Sequence, residues 1–131
     1  MDKPILCLDF DGVCHSYTSG WKGAEVIPDG AVPGLFEFLE RVTPFFNVQV
    51  FSSRSDQPGG IKAMQDWFIV QHKKWRSEGG QGYENLEISF PSHKPSAFVT
   101  LDDRAITFTG QWPELDFLRH FQPWYKSSSG S

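Results

Sequence analysis

Ile5-Leu6-Cys7-Leu8 runs without interruption into Asp9-Phe10-Asp11-Gly12-Val13. An apolar run with no polar alternation predicts a strand buried on both faces, the kind that lies centrally in a parallel sheet. Such a sheet collects its chemistry in the crevice beyond the carboxyl ends of its strands. Asp9 is the last strand residue on this reading, and Asp11 lies in the first turn. If the extended geometry persists, the two side chains point the same way. Carboxylates that close repel and hold their protons tightly unless a cation lies between them, and oxygen donors at a turn suit magnesium. The structural alternative is a surface turn in which Asp-Gly only reverses the chain.

The 131 residues suffice for one domain with a real core. Hydrophobic residues at 39% and aromatics at 15% exclude a disordered chain. A net charge of −4 with no long basic run excludes a broad nucleic-acid surface. Two cysteines, Cys7 and Cys14, are too few for a disulfide framework. Cys14-His15 has no second ligand pair at zinc spacing, so a zinc site is not expected. No signal-peptide core and no apolar stretch of membrane-spanning length is present, which predicts a cytoplasmic protein. The expected domain covers residues 1–125, with a flexible tail or linker remnant over 126–131.

Gly12 to Gly30 shows no helical period and predicts a flap over the end of the first strand, with Trp21 to Ile27 contributing to a short hairpin. Asp29 to Val42 has Pro33 in its first turn and Val32, Leu35, Phe36, Leu39 and Val42 at helical spacing. Phe46 to Phe51 alternates as a second strand and ends at Ser52-Ser53-Arg54. A long helix is predicted over Ile61–Arg76, with Met64, Trp67, Phe68, Val70 and Trp75 on its apolar stripe. A flexible connection over Ser77–Asn85 leads to a short strand, Leu86–Ile88, and then to a buried strand, Ala97–Leu101. Asp102-Asp103-Arg104 follows, then a short edge strand at Ile106–Phe108 and a final helix opened by Pro113. Strands alternating with helices predict an α/β fold: a Rossmann-like three-layer α/β/α sandwich, mainly parallel, with the first strand central.

Two acids after the first strand, a hydroxyl ending the second, a lysine before a later strand and an acidic pair ending it form an ordered set. Asp9-Phe10-Asp11-Gly12-Val13, Phe51-Ser52-Ser53-Arg54, Lys94-Pro95 and Leu101-Asp102-Asp103-Arg104-Ala105 resemble, in that order, the four motifs of the haloacid dehalogenase superfamily. The resemblance spans Ile5 to about Trp124. It implies a magnesium-dependent phosphatase in which Asp9 attacks phosphorus and forms an aspartyl-phosphate. Asp11 would protonate the leaving oxygen and then take a proton from water. Ser52 and Lys94 would bind the phosphoryl group. Asp9, Asp11 (through its backbone carbonyl), Asp102 and Asp103 would hold the metal. Ser53, Arg54, Trp21 and His15 are candidates for contacts with the substrate, and Arg54 fits a structural salt bridge equally well.

The gaps between motifs leave no room for a large substrate-selecting cap. The member resembled is therefore capless or minimally capped, open either to a large substrate or to a homo-oligomer whose second subunit acts as lid. Small metabolite and phosphorylated macromolecule both remain as substrates. From other classes, a receiver-like signalling module or a catalytically retired phosphate-binding domain competes. The receiver reading needs an acid where Ser52-Ser53 stands.

Overall fold

The computed structural model describes residues 2–82 and 86–126. Its elements run β1 (Ile5–Leu8), α1 (Leu35–Val42), β2 (Asn47–Val50), α2 (Gly60–Ser77), β3 (Ile88–Ser89), β4 (Val99–Leu101) and α3 (Leu115–Arg119). The four strands form one sheet in the order β3-β2-β1-β4. Every pairing is parallel, with Leu8 opposite both Val50 and Leu101. The first strand is thus interior, and Leu6, Cys7 and Leu8 are all buried, as the unbroken apolar run requires.

Both early crossovers step in the same direction across the sheet, so right-handed connections put α1 and α2 on one face. That face carries Leu6, Leu8, Val48 and Val50. They form one core with Leu35, Phe36 and Leu39 of α1 and Met64, Trp67 and Phe68 of α2. His72 continues the α2 stripe one turn beyond Phe68 and stacks on Trp75, while Val70 turns outward.

α1 starts later than the Asp29 expected from spacing. The Ser16 N–H donates to Gly30 O and the Val32 N–H to Cys14 O, so residues 30–32 are drawn out beside 14–16 before the helix can begin. This pairing, with a bridge between His15 and Ala31, closes the neck of the flap. It replaces the expected hairpin at Trp21–Ile27, where no strand forms.

The C-terminal third departs most from expectation. β4 is an edge strand with Val99 and Leu101 both exposed, although its apolar sequence predicts burial. No strand forms at Ile106–Phe108. α3 buries none of its residues, so it does not supply the layer expected on the second face of the sheet. The fold is α/β with a parallel sheet and helices packed on one face. Of the connection expected over Ser77–Asn85, residues 83–85 lie outside the described residues, as does the tail beyond Lys126. No helix among the described residues is long and apolar enough to cross a membrane.

Candidate active site

Hydrogen bonds from Asp9 N to Leu101 O and from Phe51 N to Leu8 O carry the ladder to the carboxyl ends of β4, β1 and β2. Asp9, Asp102 and Ser52 therefore emerge side by side, where a parallel sheet places its chemistry. One ligand oxygen from each of Asp9, Asp102 and Asp103 lies within 4.8 Å of the others. Burial first, then the carboxyls of Asp103 and Asp102, push Asp9 up to about 8. Three converging hard oxygen donors fit a divalent cation, and magnesium suits such donors. The Asp102 side chain also accepts the Arg104 N–H at 2.8 Å, which fixes the turn.

The Asp11 carboxylate is not a member of this cluster. The chain leaves extended geometry immediately after Asp9: Cys14 N and His15 N both donate to Phe10 O, and Gly12 has φ 85. The period-two expectation fails because the turn begins one residue earlier than it assumes. Asp11 instead meets Arg54 and His15. The Arg54 Nε donates to Asp11 Oδ2 at 3.0 Å and its Nη2 to Oδ1 at 3.1 Å. His15 Nδ1 lies 2.9 Å from Oδ1. His15 Nε2 accepts the Asp29 N–H at 3.1 Å, which leaves the ring proton on Nδ1, directed at Asp11. Burial alone would raise the Asp11 pKa. The hydrogen bonds from His15 and Arg54, with the Arg54 charge, outweigh it and hold the carboxyl below its ordinary value.

Arg54 and His15 are both 0% exposed, so neither is a substrate contact. Arg54 Nη1 donates to the carbonyls of Gly23, Ala24 and Val26, pinning the flap to the end of β2. Of the two roles open for Arg54, the structural salt bridge is the one built. Trp21 covers the guanidinium with its ring 4.6 Å from Arg54 Cζ and stays partly exposed at the rim. Ser53 is exposed.

The two expected phosphate binders make no hydrogen bond or ion pair with the acids. Ser52 is buried, and its Oγ accepts the Arg54 N–H at 2.9 Å and faces Met64 Sδ, so the hydroxyl caps its own turn. Lys94 is exposed in the loop before β4 and makes no hydrogen bond or ion pair with a described residue. Its charge is felt at Cys7, which lies on the same face of β1 as Asp9. Cys14 is buried, its thiol pushed up by burial and directed at Asp9 O.

Sequence reasoning missed the C-terminal contribution. Trp124 Nε1 donates to Gly12 O at 2.7 Å, and the Tyr125 ring meets Tyr17 edge-on at 5.8 Å. A Cβ at Gly12 would collide with both the Asp103 carboxylate and Tyr125. Nothing in local sequence pattern announces a contact of that range. A surface hollow of about 690 Å³ lies at the opposite end of the strands beside Lys3, Ile5 and Asn47, away from the acidic cluster. Compared with known proteins, the chain matches no protein-family model, no curated protein and no solved structure.

Proposed function

We propose that the chain is a magnesium-dependent phosphomonoester hydrolase of the haloacid dehalogenase type, working through an aspartyl-phosphate on Asp9. The observation that carries the reading is the convergence of Asp9, from the end of β1, with Asp102 and Asp103, from the end of β4. The parallel order β3-β2-β1-β4 with β1 interior supports a Rossmann-like core of that type.

In the proposed reaction an Asp9 carboxylate oxygen attacks phosphorus as the bond to the leaving oxygen breaks. Water then cleaves the acyl phosphate and regenerates Asp9. A bound magnesium ion would neutralise the carboxylates and the phosphoryl oxygens. Asp11 is held as a carboxylate by His15 and Arg54, so it would take the proton of the attacking water as a weakened base. The same clamp makes it a poor donor to the leaving oxygen, so leaving groups stable as anions should react best. Lys94, on a flexible stem, would move in against the phosphate, and Ser53 offers an exposed hydroxyl beside the buried Ser52. Trp21 at the rim would touch the substrate body, whether small molecule or macromolecule. A cytoplasmic location belongs to the same proposal and is supported by two free, buried cysteines.

The inward Ser52, and a Lys94 unpaired among the described residues, favour a second reading, a catalytically retired domain that binds a cation and phosphate without turnover. A screen of purified protein against a phosphoester panel, with magnesium and with chelator, separates the two. Magnesium-dependent release of phosphate supports the enzyme. Cation binding with no turnover across the panel supports the binding domain.

A further inference from the structure

We propose that Trp124 and Tyr125 are positioning residues for the acidic cluster: they strap the loop after β1 to the loop after β4 and so hold Asp103 against Asp9. The inference rests on the reading of Asp9, Asp102 and Asp103 as a cation site.

β4 has three residues, and α3 after it buries nothing, so no packed helix fixes the loop that carries Asp103. The proton that Asp9 retains links it to Asp103, but once both ionise the two carboxylates repel, and Arg104 Nε, 4.0 Å from Asp103 Oδ2, is itself half exposed. Yet the Asp103 side chain is only 2% exposed. What covers it is the last described turn of the chain. Tyr125 lies over Gly12 and Asp103, its hydroxyl within hydrogen-bonding reach of the Asp103 carboxylate, and it accepts from Arg104 Nη2 at 3.3 Å. Its ring packs edge-on against Tyr17 and against Trp124. Trp124 reaches 112 residues back to donate to Gly12 O. One dipeptide thereby touches the loop of the proposed nucleophile, the base of the flap and the loop of two candidate ligands. Groups that orient metal ligands commonly matter to affinity almost as much as the ligands do.

The test is Mn²⁺ binding to the full-length protein, read as loss of the free aquo-ion signal in electron paramagnetic resonance. The proteins compared are wild type, Tyr125→Ala, Tyr125→Phe, Trp124→Phe and Asp103→Asn. Tyr125→Ala should weaken Mn²⁺ by about 10- to 100-fold, the usual effect of removing a group that orients a metal ligand. Tyr125→Phe keeps the ring and loses the hydroxyl, so it should fall between Tyr125→Ala and wild type. Trp124→Phe removes the N–H donor to Gly12 while keeping an aromatic ring beside Tyr125, and should also weaken binding; it carries the test if Tyr125→Ala does not fold. Strap variants that bind within twofold of wild type, while Asp103→Asn binds more weakly, overturn the strap alone. A wild type that binds no Mn²⁺ overturns the cation site and the strap with it.

Discussion

Arg54 and Asp11 form a two-point ion pair beneath the flap, Nε to Oδ2 at 3.0 Å and Nη2 to Oδ1 at 3.1 Å, with the guanidinium wholly buried. The third nitrogen serves three flap carbonyls, so one side chain holds the Asp11 turn and the flap together. Removing it leaves a carboxylate and three carbonyls short of donors. Arg54→Met should cost about 3–5 kcal/mol, the usual consequence of breaking a buried pair. In thermal unfolding this is a drop of roughly 10 °C or more. Arg54→Lys should rescue little, because an ammonium lacks the planar fork. A melting temperature unchanged in both variants would show that the clamp does not hold the flap.

Asp9 gives the metal-free protein a distinctive pH dependence. Its carboxyl is pushed up to about 8 from 3.8, by burial first and then by Asp103 and Asp102. Between those values the folded state keeps a proton that the unfolded state has released, so stability falls as pH rises through the window. Magnesium competes with that proton. The rise in melting temperature on adding magnesium should therefore be small near about pH 5 and largest above about pH 8. Asp9→Asn should flatten both trends. A magnesium effect independent of pH would contradict the assignment.

Asp11 should show its role in the leaving-group dependence. With both oxygens engaged by Arg54 and His15, it supplies little acid catalysis. Turnover across a series of aryl and alkyl phosphates should rise steeply as the leaving alcohol becomes more acidic. Asp11→Asn should lower turnover by about 10², the lower end of the usual worth of a general acid–base group, chiefly by slowing the attack of water. A flat dependence would mean that a proton does reach the leaving oxygen.

His72 should weaken the fold in acid. Its pKa is lowered from 6.5, by burial first and by the Arg76 charge second, and its Nε2 has no partner among the described residues. Below 6.5 the unfolded state takes up a proton that the folded state resists, so stability falls as pH drops from there. Glu40 acts in the opposite sense and limits the loss. His72→Phe keeps the ring contacts to Phe36 and Trp75 and should remove this acid-side slope. An unchanged slope in denaturant titrations at several pH values would exclude His72 as its source.

What the sequence made legible follows from the range of the interactions involved. β1, the α1 and α2 stripes and the order of acids at strand ends rest on local periodicity, and they appear in the fold close to their expected positions. Asp9, Asp102 and Asp103 were each readable as strand-end residues, and parallel pairing of β1 with β4 brings them together. The separation of Asp11 was not readable, because it turns on a backbone reversal at Phe10 and on a buried arginine 43 residues away. Arg54 and His15 have the composition of site residues, but only burial distinguishes an internal clamp from a substrate contact. Val99 and Leu101 suggested a buried strand because apolar sequence does not specify whether a helix will cover it.

The central claim is that Asp9 is a nucleophile. The most direct measurement is acid-quenched intact-mass analysis during turnover of an aryl phosphate with magnesium, with peptide mapping to place the added phosphate. One phosphoryl group is expected on Asp9, accumulating further in Asp11→Asn and absent in Asp9→Asn, which should also lose turnover. Sustained magnesium-dependent turnover in Asp9→Asn, or a phosphoryl group mapped to another residue, would contradict it.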